Sequence, residues 1–253
     1  MYNIKPELLL KLIIKKSAAY VLLCCFSTCL YAVAVTPVST VYRTDSREYP
    51  DVFKNGFASW GNNIDFVEHV YGESGVGGTR DTAFVATTAS LTFAQEYADI
   101  LAYREAYRSR ERYGIAYIYD IRATNNMYSA EGTLRSLYNG HLPPSAEHFI
   151  LEQQEWAALY HIAGNQIRSV TVVEYSNGHF HNSTVANPSY MNETTHSNPA
   201  VFTGSTHVPN AAIPLFVNGG VASSFVSRAD AEAAPMSVWS YISCCSGSNS
   251  SDR

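Results

Sequence analysis

The chain has 253 residues, of which 46% are hydrophobic, 13% aromatic and only 15% charged. That is enough apolar material for one sizeable core or two small ones, and too much for a disordered protein. A formal net charge of −5 excludes the basic field of an ordinary nucleic-acid binder, and beyond residue 34 no apolar run has the length of a membrane-spanning helix.

At the front, Lys5, Lys11, Lys15 and Lys16 precede an apolar stretch from Ala18 to Ala34, interrupted by Ser27 and Thr28. Ala32-Val33-Ala34 is the small-x-small pattern that signal peptidase reads, so residues 1–34 are expected to be an export signal. Its removal leaves 13 basic and 21 acidic residues, a net charge of −8, with Lys54 as the single lysine. Cys244 and Cys245 are then the only cysteines. Side chains of adjacent cysteines diverge, so a bond to another chain or free thiols is expected rather than a mutual bridge.

Along the body, Val41-Tyr42-Arg43 starts a short strand ended by Asp45 and Ser46, and Asp51 to Asn55 reads as a helical turn closed by Gly56. Gly72, Gly75, Gly77 and Gly78 mark residues 72–80 as loop. Ala83 to Thr88 is a β-prone run. A helix follows from Thr92 to Arg112, with Thr92 and Gln95 suited to a capping box and Phe93, Tyr97, Ile100, Leu101 and Tyr107 near one face.

Ile115 to Ile121 is a second strong strand, and helical pattern reappears between Ser145 and Gln153. Strands are expected near Glu155–His161 and Ile167–Glu174, separated by Gly164-Asn165. From Ser176 to about Asn210 the chain is rich in Asn, Ser, Thr and Pro, and loops should dominate. The expected fold class is α+β, with a domain over residues 35–205 and a less regular C-terminal extension over 206–253.

Several familiar patterns fail on inspection. Gly72-Glu73-Ser74-Gly75 approaches a nucleophile elbow, but Val76 stands where the second glycine belongs. Gly75-Val76-Gly77 has Arg80 where a dinucleotide fingerprint needs glycine. His179-Phe180-His181 puts two imidazoles on one face of an extended segment without a third ligand nearby, so no metal is expected. Asn182-Ser183-Thr184 and Asn192-Glu193-Thr194 are sequons that matter only in a eukaryotic host.

Three separated pieces hold together: Arg43 on the first strand, Ala86-Thr87-Thr88, and Gln153-Gln154-Glu155. With Asp45-Ser46-Arg47, Asp51-Val52-Phe53, Asn55-Gly56-Phe57, Trp60-Gly61-Asn62-Asn63, His69, Arg122-Ala123, Asn125-Asn126 and Ile167-Arg168, they form ordered blocks over roughly residues 40–205. The set resembles the ADP-ribosyltransferase toxins, in particular the pertussis-toxin and typhoid-toxin-like catalytic subunits. The resemblance implies a mixed two-sheet NAD-binding core with peripheral helices. It also implies NAD+ as substrate, cleaved between nicotinamide and ribose through an oxocarbenium-like ribose that a carboxylate stabilises.

By that resemblance Glu155 is the catalytic carboxylate, Arg43 cradles NAD through forked guanidinium bonds, and His69 assists ribose positioning or nucleophile activation. Trp60 and Tyr97 match aromatics near the NAD pocket, and Gln153 occupies the position that helps select the acceptor. Phe93 replaces a tyrosine of the pertussis relative. The family's Ser-Thr-Ser strand reads Ala86-Thr87-Thr88, leaving Thr87 or Thr88 to supply a hydroxyl toward Glu155. Gly75 stands where the relatives have a disulfide cysteine, so their reductive activation should not operate here through that bond.

Gln153 places the chain on the pertussis side, with a host heterotrimeric G-protein α subunit as the expected target. A pentameric B subunit is the expected carrier, and the apolar 211–242 segment either docks on it or forms a C-terminal layer of the same domain. The expected itinerary is export to the periplasm, secretion, and action in the host cytosol. Two alternatives stay open: an NAD glycohydrolase with water as acceptor, and a catalytically silent assembly subunit.

Overall fold

A computed structural model describes residues 35–204 apart from 76–77, 110–111 and 145. The expected signal segment, the 211–242 segment, Cys244 and Cys245 lie outside the described residues. The elements run β1 (Thr40–Asp45), α1 (Tyr49–Asn55), β2 (Phe57–Ala58), α2 (Phe66–Val70), β3 (Phe84–Thr88), α3 (Leu91–Arg108), β4 (Tyr113–Arg122), β5 (Met127–Ser129), α4 (Ala130–Leu137), α5 (Glu147–Gln153), β6 (Glu155–Leu159), β7 (His161–Ile162), β8 (Ile167–Ser176) and β9 (His179–Ala186). A 3-10 turn, Gly164–Gln166, joins β7 to β8.

The α+β class holds. One sheet has seven strands in the order β5-β6-β3-β1-β4-β8-β9, and a second pairs β2 with β7. Among the described residues every strand ladder is antiparallel, and the isolated bridge Asn63–Thr82 is parallel. The joint between β1 and β3 differs from the rest: the two strands share the single register pair Tyr42–Thr88, whereas β1 runs beside β4 from Thr40–Arg122 to Asp45–Tyr117. The sheet therefore opens at the β1/β3 seam, where Arg43, Thr87, Thr88, Tyr97 and Gln153 lie together.

Among the described residues three apolar clusters hold the fold. The main one joins Val41, Phe57, Tyr119, Trp156 and Ile167 on one face of the large sheet. A second unites Phe66, Phe84, Leu134, Ile150 and Phe202 beneath α2, α4 and α5. Full burial of Phe57 or Phe66, each at most 1% exposed, stabilises the fold by on the order of 2 kcal/mol apiece.

The third cluster corrects the expected face of the long helix. Ala94, Ala98, Ala102 and Ala106 form the buried stripe, while Tyr107 is 78% exposed. The reason is proximity: a Cβ on Gly114 of β4 would stand 2.0 Å from the Ala102 carbonyl oxygen. At that separation only alanines fit opposite Gly114; of the expected face Tyr97 is also buried, at 4% exposed, whereas Tyr107 turns to the rim. The cap is also displaced. Ser90, not Thr92, is the N-cap, accepting from Phe93 N–H at 3.1 Å, and the helix stops at Arg108.

Beyond Ser176 the expected loops give way to β9, which pairs with β8 along its whole length across the Asn177-Gly178 turn. Both turn residues have positive φ, 52° and 84°, the geometry that suits the twist of a two-residue hairpin. Elements also form where no strand or helix is expected from the sequence: α2, β2, β5 and α4. In α4 Ser129 accepts from Gly132 N–H at 3.0 Å as N-cap. At the end of α1, Gly56 has φ 71°, and a Cβ there would come within 2.0 Å of Ile162 O. That close approach brings β2 beside β7.

Candidate active site

Arg43 sits in β1 with a side chain only 4% exposed. Its Nε donates to Asp45 Oδ2 at 3.1 Å, its Nη2 lies 3.0 Å from the same oxygen, and its Nη1 donates to the Ala86 carbonyl at 2.7 Å. Ala86 and Thr88 present backbone groups to the same edge of β3. Where β1 parts from that edge, a guanidinium takes the place of the missing ladder donor. Arg43 thus closes the seam and is fixed there.

Asp45 is the hub of this corner. Wholly buried, it also accepts from the Arg47 backbone N–H, Nε and Nη2 at 2.9–3.0 Å. Burial pushes its carboxyl up, but the Arg43 charge and the bonds and charge of Arg47 outweigh that and hold it below the usual carboxylate value. Both guanidinium carbons lie over the Phe57 ring, at 5.0 and 4.7 Å from its centroid. Tyr119 donates its hydroxyl to the Arg47 carbonyl, and burial followed by the Asp45 charge raises its pKa strongly.

His69 is carried by α2, a helix of five residues that would not persist alone. Asp65 caps it, accepting from Val67 and Glu68 N–H at 3.0 Å each, and Asn63 Oδ1 accepts from Asp65 N–H at 2.9 Å. His69 Nδ1 lies 2.8 Å from Thr82 Oγ1 and Nε2 lies 3.0 Å from Glu155 Oε1. Thr82 Oγ1 already accepts from Phe84 N–H, which leaves its proton available to Nδ1. The neutral tautomer that satisfies both contacts then donates Nε2–H to the carboxylate.

Glu155 opens β6, and the turn that delivers it is specific. Gln153 ends α5, and Gln154 takes a left-handed conformation at φ 46° while its N–H closes on Ile150 O at 3.0 Å. For a non-glycine residue that conformation costs about 1 kcal/mol or more. Thr88, the cross-strand partner of Glu155, steadies the turn by donating its hydroxyl to Gln153 O. Thr87 Oγ1 donates to Trp156 O. Both hydroxyls therefore brace backbone, and the contact on the Glu155 carboxylate comes from His69, where the sequence pointed to Thr87 or Thr88.

A narrow cavity at the seam is lined by Tyr42, Arg43, Thr44, Ala86, Thr87, Thr88, Phe93, Ala94, Tyr97 and Gln153. The fold thus brings Arg43, both threonines, Tyr97 and Gln153 around one small cavity of about 10 Å³, and the Thr88–Glu155 pairing joins it to the His69–Glu155 contact. Trp60 stands apart from this cavity at 38% exposed. It belongs to the loop whose Gly61 N–H binds Thr82 O at 2.9 Å, the same threonine that holds His69. A larger groove of about 820 Å³ between α1, β7 and β9 contains none of the predicted site residues.

Two participants escaped prediction. Thr82 carries no motif, and its role follows only from the packing of α2 against β3. Asp45 stands within an Arg-x-Asp-x-Arg spacing that runs from β1 into the bend after it, and that spacing was the available signal. Among the described residues, no group of three or more His, Cys, Asp or Glu is placed to hold a metal ion, and no helix is long and apolar enough to cross a membrane.

Comparison with known proteins gives a consistent set of likenesses. Residues 36–246 match the family described as pertussis toxin, subunit 1. The chain is 32% identical over 217 residues to pertussis toxin subunit 1 of Bordetella pertussis, and 33% identical to its homolog in Bordetella bronchiseptica. Each alignment covers 81% of this chain and 80% of the relative. A shorter match, 30% identical over 105 residues, reaches the ADP-ribosylating toxin CARDS of Mycoplasma pneumoniae, covering 40% of this chain and 16% of that one. Among solved structures, EcPltA superimposes with a TM-score of 0.57 at 30% identity, over 68% of this chain and 98% of that one.

Proposed function

The chain belongs to the pertussis toxin subunit 1 family, and from that membership we propose that it cleaves NAD+ at the nicotinamide–ribose bond and passes the ADP-ribose to a host protein. It is a mono-ADP-ribosyltransferase of the toxin class. Breaking the glycosidic C–N bond releases neutral nicotinamide and leaves positive charge on the ribose, so the site must favour that charge as it develops. Glu155 is the group that does so in this reading. It is 5% exposed and held by His69 Nε2 at 3.0 Å, an arrangement that fixes a carboxylate before substrate arrives. This contact is the observation that carries the proposal.

Arg43 supplies the second requirement, an oriented guanidinium at the seam. Fixed on Asp45 and the Ala86 carbonyl, it would bind the dinucleotide's phosphate or ribose oxygens. Tyr97 and Gln153 line the same small cavity, and in this reading their flat ring and amide meet nicotinamide and the incoming acceptor as the seam parts. Trp60 would contribute from the loop beside Thr82. The acceptor's nucleophile then attacks the ribose carbon and loses its proton.

The pertussis-like Gln153 favours a heterotrimeric G-protein α subunit as acceptor. A pentameric B subunit bound through the C-terminal extension, export through the N-terminal signal and action in the host cytosol complete the proposal.

The test uses the purified chain with labelled NAD+ and a host-cell lysate. A labelled protein band, lost in Glu155→Asp, supports the transferase and identifies the target by mass. Loss of one methylene withdraws the carboxylate from His69 and from the ribose, and turnover should fall by about 100-fold or more. Nicotinamide release without a labelled band would instead favour the glycohydrolase. No turnover in folded protein would favour the silent subunit.

A further inference from the structure

The chain does not leave the fold after β9. Residues 187–202 run back across it as a strap pinned at successive points. Asn187 Nδ2 donates to Gly164 O and Ile167 O, Arg122 holds Glu193 and Thr195, Ser197 exchanges hydrogen bonds with Val38, and Asn198 N–H binds Met127 O. The strap ends at Phe202, whose N–H donates to Thr133 Oγ1 at 3.1 Å. Only 7% exposed, the Phe202 ring stacks on Phe66 at 5.4 Å and meets Phe84 edge-on at 5.1 Å.

Those two rings also confine His69. The imidazole lies 5.1 Å from the Phe84 centroid and 6.4 Å from that of Phe66. Phe84 is tied in twice, because its N–H donates to the Thr82 hydroxyl that also contacts His69 Nδ1. Phe66 opens the helix that carries His69. A ring from a segment well over a hundred residues away in sequence thus closes the cage around the histidine.

We infer that Phe202 is a positioning residue for His69: the C-terminal strap, by wedging its ring against Phe66 and Phe84, sets the imidazole within reach of Glu155. This rests on the NAD-cleaving reading of the site. Phe202 acts through this cage, by way of Phe66 and Phe84. Removing the ring lets Phe66 and Phe84 collapse toward the vacated volume. The imidazole follows, and small displacements of a positioned group can cost up to about 100-fold in rate.

The test compares Phe202→Ala and Phe202→Leu in the full chain, each alone and combined with His69→Ala. It reads nicotinamide release and the imidazole NMR signals of His69. Phe202→Ala should lower kcat by about tenfold with KM within about twofold and shift the His69 ring signals. Phe202→Leu, which refills most of the volume, should recover most of the loss. In the His69→Ala background Phe202→Ala should change turnover little, because the group it positions is gone.

Equal fractional losses in both backgrounds would mark Phe202 as a folding residue and overturn the inference, as would unmoved His69 signals in the alanine variant. An unsubstituted chain that releases no nicotinamide counts against the NAD-cleaving reading, and the imidazole spectrum then decides the positioning role alone.

Discussion

His69 Nε2 lies 3.0 Å from Glu155 Oε1, and both side chains are at least 95% buried. A carboxylate so far from water is expensive unless a donor compensates it, so the pair is coupled energetically as well as in position. A double-mutant cycle with His69→Ala, Glu155→Ala and the pair, followed by urea unfolding at neutral pH, should return a coupling of about 1–3 kcal/mol. His69→Ala alone should be the most damaging of the three, since it orphans the carboxylate. Additive effects would mean that the contact contributes nothing to the folded state.

Arg43→Lys keeps the charge and loses the fork. One guanidinium contacts Asp45 through Nε and Nη2 and Ala86 through Nη1, and a single ammonium cannot span both partners in that geometry. NAD cleavage should fall by roughly 100-fold, with about 1–3 kcal/mol of stability lost from the buried carbonyl left without its donor. Nicotinamide release and urea unfolding on the same preparation check both. Wild-type kinetics in this variant would show that the guanidinium at the seam is ornamental to catalysis.

Asp45 links the same corner to pH. Two arginines hold its folded pKa below the ordinary value of 3.8, so its contribution is fully present above that value and is lost as pH falls through the depressed folded pKa. Asp45→Asn removes the counter-charge of a buried guanidinium, at a cost of about 3–5 kcal/mol near neutrality. Unfolding curves for the two proteins should stay equally far apart from pH 7 down to about pH 4 and converge below it. A gap that already closes between pH 7 and pH 5 would refute the assignment.

Much of the site was legible because its residues sit in strands with strong local signals. Arg43, Thr87, Thr88 and Glu155 lie in or at the ends of β-prone runs, and sheet pairing brings these strands side by side. What escaped notice lacks periodicity. α2 is too short to show any, so His69 appeared as a lone match and Thr82 not at all. β9 is exposed along most of its length, so no hydrophobic alternation marked it; its true signal was Asn177-Gly178. On the long helix, large side chains outweighed the alanine stripe in the reading of its face, because the identity of the buried side depended on a glycine in another strand.

That glycine gives a stringent test of how the site is held open. A Cβ at Gly114 would meet Ala102 O at 2.0 Å and Ala106 N at 2.5 Å, both backbone atoms of α3 that cannot rotate away. Gly114→Ala must lift the helix from β4, at about 1–3 kcal/mol. The first two turns of that helix carry Phe93 and Tyr97 into the seam and anchor Thr44, whose hydroxyl donates to Ala94 O at 2.8 Å. KM for NAD+ should therefore rise together with the fall in melting temperature. Gly140→Ala is the control: its φ is +89° but nothing lies within 4 Å, so it should cost about 1 kcal/mol of backbone strain and leave KM unchanged. Equal effects of the two substitutions on KM would mean that the helix–strand separation does not set the geometry of the opening.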